Sequence, residues 1–98
     1  MIIDVKRNDQ ELILELNGRL DTATAPTLDK MIAENTNDIK SLILDLKGLE
    51  YISSAGLRVV LLAQKKMQVA GTMKVKNVNE DIMSIFEMTG FADILTIE

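Results

Sequence analysis

The chain has no cysteine, no histidine and no tryptophan, and its 98 residues include one proline, one tyrosine and two phenylalanines. Without cysteine there is no disulfide and no thiolate, as suits a reducing compartment. Without histidine as well, the common general base and both soft zinc ligands are missing, which excludes zinc sites and Ser-His-Asp machinery. So few aromatics leave a core of Ile, Leu, Val, Ala and Met and no aromatic ligand cage. The five glycines stand singly at 18, 48, 56, 71 and 90, so no glycine-rich phosphate loop can form. No run approaches the roughly 18 to 20 apolar residues of a membrane span, and Met1-Ile2-Ile3-Asp4-Val5-Lys6-Arg7 lacks a signal peptide's apolar centre. The expectation is a cytoplasmic protein with no direct membrane contact.

Positive charge is also scarce, with 11 basic against 15 acidic residues and a formal net charge of -4. Phosphate neutralisation needs a clustered basic surface, so nucleic acid is not an expected partner. Lys65-Lys66 and the alternating Lys74 and Lys76 read as a helix end and a solvated strand face. Asp21, Asp45 and Glu50 are spaced like no known ligand set, so neither a metal nor another cofactor is expected.

What is present is alternation of strand and helix signals within one domain over residues 1–98. Ile2–Val5 and Leu12–Leu16 read as a hairpin closed by Arg7-Asn8-Asp9-Gln10. Gly18-Arg19-Leu20-Asp21 is expected to leave the sheet, with the Thr24 hydroxyl capping a helix that has Pro26 in its first turn and Leu28, Met31 and Ile32 as its apolar stripe. Ser41–Leu46 is nearly continuous in apolar residues and predicts a central strand buried on both faces. Ala55–Ala63 predicts a largely buried helix that stops at Gly71. Met73–Val78 reads as a strand. Asn79, Glu80 and Asp81 open a last helix that Gly90 ends, and Ile94–Ile97 reads as a closing strand. The fold class is α/β, a mixed sheet of four to five strands covered by helices, in the order β-β-α-β-α-β-α-β.

Between the expected central strand and the buried helix lies Leu46-Lys47-Gly48-Leu49-Glu50-Tyr51-Ile52-Ser53-Ser54-Ala55-Gly56-Leu57-Arg58. Strand ends that lead into helix starts form the usual functional rim of an α/β sheet, and a serine there sits beside unpaired backbone N–H groups. A capping role alone also accounts for Ser53 or Ser54, and close helix-to-sheet contact alone accounts for Gly56. Ser54-Ala55-Gly56 matches half of a hydrolase nucleophile elbow, but Ile52 replaces its first glycine and no base is near in sequence. An enzyme is therefore not expected.

The stretch resembles the STAS, or anti-sigma factor antagonist, family, whose signature runs from an apolar strand with Asp through a short loop and an aromatic to Ile/Met, Asp/Ser, Ser, Ser/Thr/Ala, Gly and Leu/Ile. Here the matching residues are Leu44-Asp45-Leu46 and Tyr51-Ile52-Ser53-Ser54-Ala55-Gly56-Leu57. Gly18-Arg19-Leu20-Asp21 with Thr24-Ala25, and Phe86-Glu87-Met88-Thr89-Gly90-Phe91, are similar to the family's two flanking motifs, so the resemblance covers the whole chain.

The resemblance implies a phosphorylation-controlled bacterial switch in transcription regulation. Unphosphorylated, the protein binds an anti-sigma factor of GHKL-type serine kinase fold and frees a sigma factor. The kinase marks Ser54, with Ser53 the second choice, and a serine phosphatase resets the switch. The partner surface it implies is Asp21, Thr22, Ser53, Ser54, Ala55, Gly56, Leu57 and Arg58. Ser53 stands where well-known members carry Asp, and Ala55 where many carry a second hydroxyl. The other setting for such a domain is an adaptor or transporter-associated subunit that docks a partner without phosphate control.

Overall fold

The structure is a computed structural model and describes residues 1–98. Strands β1 (Ile2–Asn8) and β2 (Glu11–Leu20) form an antiparallel hairpin, turned at Asp9 with φ 57°. Helix α1 (Ala25–Asn35) leads to β3 (Ser41–Ile52), and α2 (Ser54–Ala70) leads to β4 (Thr72–Lys76). Helices α3 (Glu80–Thr89) and α4 (Phe91–Ile94) complete the chain. The sheet has four strands in the order β1-β2-β3-β4, with β2, β3 and β4 parallel.

Both parallel crossovers, β2-α1-β3 and β3-α2-β4, step across the sheet in the same direction. Right-handed connections therefore place α1 and α2 on one face. Leu12, Leu14 and Leu16 of β2, Leu42, Leu44 and Leu46 of β3, and Met73 and Val75 of β4 point to that side and are buried. They meet Leu28 and Ile32 of α1, Val60, Ala63 and Met67 of α2, and Ile82 and Phe86 of α3 in one cluster. The opposite face carries Lys6, Glu15, Asp45 and Lys74, with only Ile43 buried among the β3 side chains there. The expectation of a central strand buried on both faces is corrected accordingly: Ser41 and Asp45 stay half-exposed because no helix crosses to their side.

Three further expectations change. Residues Gly18–Leu20 remain in β2, and the stretch from Leu46 to Ile52, expected to include a loop, remains in β3. Two register shifts, between Glu15 and Asn17 and between Gly18 and Arg19, let these extensions stay paired as far as Leu20 and Ile52. The closing strand over Ile94–Ile97 is reduced to one parallel bridge, Val75 to Ile97. Gly90, at φ 81°, ends α3 and restarts the chain as α4, where Phe91 stacks on Phe86 at 6.4 Å. Residues 91–94 are thereby taken into a helical turn, leaving too little chain for a strand.

The start of helix α2 lies close against the ends of β2 and β3. A Cβ at Gly56 would lie 2.7 Å from Leu20 Cγ, 2.8 Å from the Leu20 carbonyl oxygen and 2.9 Å from Ile52 Cγ1. One of these neighbours is backbone and cannot move aside. Gly56→Ala is expected to cost about 1–3 kcal/mol by overpacking. That is a fall of at least about 4 °C in the thermal midpoint of a domain this size, and an unchanged calorimetric midpoint would contradict this account of the contact.

Candidate functional site

The extended ends of β2 and β3 carry the chain's sequence-selected residues to one rim. Leu20 pairs with Ile52, and the Ser53 N–H donates to the Leu20 carbonyl at 2.9 Å, so the turn after β2 and the start of α2 are adjacent.

Ser53 and Ser54 occupy different positions at that start. Ser53 is the N-cap, with extended backbone (φ -95°, ψ 175°), and its half-buried hydroxyl accepts from the Gly56 N–H at 3.3 Å. This satisfies one of the unpaired donors of the first turn. Ser54 is the first helical residue; its side chain is exposed and makes no hydrogen bond within the chain. Ala55 is half-buried and Arg58 exposed one turn later. Gly56 and Leu57, expected on the partner surface, are buried, Gly56 against Leu20 and Ile52 and Leu57 in the core cluster. They hold the helix start in place from beneath.

Across the rim, Asp21 folds its own turn. Its Oδ1 accepts from the N–H groups of Ala23 at 3.0 Å and Thr24 at 3.1 Å. The expected capping hydroxyl of Thr24 is not used that way. Although Thr24 is the N-cap of α1, its hydroxyl makes no cap bond; it accepts from the Asp21 N–H at 2.9 Å and lies 2.7 Å from the Arg19 carbonyl and 3.2 Å from Asp21 Oδ1. Thr24 has helical backbone (φ -101°) rather than the extended backbone usual for a capping residue, and its hydroxyl faces the strand end. Pro26 takes the expected place in the first turn of α1. Thr22 is exposed at the tip of this turn.

Two further residues of the rim lie inside the motifs but were not expected to touch. Arg19 and Tyr51 are cross-strand partners, with the guanidinium carbon 4.3 Å from the ring centroid and Nε 3.8 Å from Asp21 Oδ2. Tyr51 is 40% exposed. Only the shifted register brings them together, and no spacing in the sequence signals that.

The rim residues line neither surface cavity of the chain. The two surface cavities of the chain, each about 360 Å³, lie elsewhere: one on the open sheet face among Asp4, Glu15, Asn17, Asp45 and Lys47, the other beside α3 at Val78, Glu80, Met83, Ser84 and Glu87. Such a placement suits contact with another macromolecule.

A STAS domain model matches residues 3–98. The chain belongs to the STAS domain family. Among curated relatives, BtrV of Bordetella bronchiseptica, described as a candidate anti-sigma factor antagonist, is 35% identical over 99 residues, covering 99% of this chain and 85% of the relative. The anti-sigma-B factor antagonist of Bacillus subtilis is 29% identical, covering 97% and 88%. Among solved structures, Bacillus SpoIIAA in its phosphorylated form superposes with a TM-score of 0.78 at 17% identity, covering 99% of this chain and 91% of that one. This STAS domain has the fold of those proteins. No helix of it is long and apolar enough to cross a membrane.

The Thr24 N–H foremost, then the Thr24 hydroxyl, the Ala23 N–H and the charge of Arg19, hold the Asp21 carboxyl below the ordinary carboxylate range, against the opposing effect of desolvation. A lowered folded-state value means that the unfolded chain takes up the proton first as pH falls. The stabilisation is therefore complete above the ordinary carboxylate value and is lost as pH drops through the lowered one. In urea titrations at a series of pH values, Asp21→Asn is expected to be less stable than the parent near neutrality, with the gap closing in acid. A gap that stays constant with pH would show that the charge of Asp21 does not support the turn.

Proposed function

We propose that this STAS domain is an anti-sigma factor antagonist whose docking is switched by phosphorylation of Ser54. The observation that carries the reading is the division of labour between two adjacent serines: the hydroxyl of Ser53 is engaged as a cap, while that of Ser54 projects free at the helix start. The relatives named as antagonists support the role, and the phosphorylated form of SpoIIAA supports control by phosphate.

In the unphosphorylated state, Thr22, Ser54 and Arg58, flanked by half-exposed Asp21, Ser53 and Ala55, meet an anti-sigma factor of GHKL-type serine kinase fold, which then releases its sigma factor. The same partner uses ATP to mark Ser54. The Ser54 Oγ forms a bond to the γ-phosphorus, the bond from that phosphorus to the β–γ bridging oxygen breaks, ADP departs, and the hydroxyl proton passes to a base of the kinase. A serine phosphatase hydrolyses the ester and restores the docking form.

The physics of the position favours a switch without refolding. Phosphate adds about -1.5 to -2 charges, and a helix's first turn, with its free N–H groups and positive dipole end, tolerates an anion. For the partner, the same dianion beside Asp21 brings repulsion and a desolvation cost.

Two measurements test this. Ser54→Asp is expected to keep the parent's thermal midpoint and lose affinity for the anti-sigma factor by at least about tenfold in calorimetric titration; equal affinity would instead favour an adaptor that docks without phosphate control. For site choice, Ser53→Ala is expected to lose about 1 kcal/mol of stability, the worth of a cap, yet still accept phosphate from the kinase. Ser54→Ala should be within about 0.5 kcal/mol of the parent and accept none. The opposite pattern, with phosphate mapped to Ser53 by peptide mass spectrometry, would overturn the assignment.

A further inference from the structure

The chain has three arginines, and two are occupied. Arg7 pairs with Asp38 at 2.8 Å, and Arg19 lies over Tyr51 and 3.8 Å from Asp21. Arg58 is exposed and has no ion pair within the chain. It follows Ser54 by four residues on α2, so the two share a helix face. Side chains on an α-helix lean toward its N-terminus, which directs Arg58 back over the turn that begins at Ser54. An anion placed before a cation at this spacing is the favourable order.

We propose that Arg58 is the intramolecular ligand of the phosphate carried by Ser54, released in the unmarked protein and engaged in the marked one. The inference rests on the reading of Ser54 as the modified residue. A guanidinium presents a planar fork of donors that matches phosphate oxygens in pairs, and Ser54 itself makes no competing hydrogen bond in the chain. Lys65 and Lys66 lie about three turns beyond Ser54 along α2, out of reach of the first turn. Of the two other charges at the rim, Asp21 repels a phosphate and Arg19 is held against Tyr51 and Asp21.

The clamp changes how the switch works. Before modification Arg58 is the rim's free cation, open to a carboxylate of the partner. After modification it is turned onto its own helix. Phosphorylation thus alters the docking surface twice, by adding a dianion and by withdrawing the guanidinium that an acidic partner residue would engage.

The test needs no kinase, because phosphoserine can be placed at position 54 during translation. Phosphorus NMR then follows the phosphate's second ionisation, ordinarily near pH 6, in the parent, Arg58→Gln and Arg58→Lys. The phosphate of the parent is expected to ionise about 0.15 to 0.4 pH units below that of Arg58→Gln, with Arg58→Lys between them and the difference shrinking in high salt. The Arg58 Nε–H resonance of the parent is expected to move on phosphorylation. Coincident titrations of parent and Arg58→Gln, with the Arg58 resonance unmoved, would overturn the clamp while leaving the switch at Ser54 standing. Failure of a kinase to mark Ser54 would sink the switch and leave this titration unaffected.

Discussion

The site depends on one contact, the seating of the first turn of α2 on the end of β2. Gly56 allows the helix backbone to come within van der Waals reach of Leu20, and the Leu20 carbonyl then receives the Ser53 N–H at 2.9 Å. A side chain at position 56 would push the helix start away from the strand and break that bond. Leu20 is completely buried and pairs with Ile52, so one residue ties the core, the end of the sheet and the helix start together. Everything proposed for the rim follows from this seat. It points Ser53 inward to cap the helix and leaves Ser54, one residue on, outside.

The same seat sets the electrostatics. The residue after Leu20 is Asp21, whose carboxylate is committed to the N–H groups of Ala23 and Thr24 and so remains charged at the rim. In the proposed switch, a second negative group at Ser54 is tolerated by the protein's own helix start and opposed at the partner surface. That proposal uncouples fold stability from partner affinity at a single atom. Arg19 lies over Tyr51 across the neighbouring strand ends, and the chain's selected residues gather at this rim rather than on the open, charged face of the sheet.

Much of this was legible in the amino-acid order, for identifiable reasons. Asn79 and Gly90 were readable as helix limits because capping is local chemistry, and both act so, through the Ile82 N–H at 2.9 Å and a left-handed φ. The buried rows of β2 and β3 were readable as alternating or continuous apolar runs. Other features depend on tertiary contacts. The strand character of Lys47–Tyr51, a polar and glycine-containing stretch, exists only because the bulged end of β2 pairs with it. Thr24 looked like a cap, and only the backbone turn at Asp21 reveals why its hydroxyl faces the strand. Ile94–Ile97 has the composition of a strand but lost most of its length to the turn that Phe91 and Phe86 stabilise by stacking. The resemblance already ranks Ser54 before Ser53; what composition does not carry is the hydrogen-bond geometry, in which the Ser53 hydroxyl caps the helix and that of Ser54 makes no bond within the chain.

The central claim is that a charge added at Ser54 changes the rim and nothing else. Amide NMR spectra of the unmodified chain and of the chain bearing phosphoserine at 54 test it most directly. The account predicts shift changes confined to residues 19–24 and 51–58, with the signals of β1, β4 and α3 unmoved. Changes spread through the core strands, or a loss of signal dispersion, would contradict it.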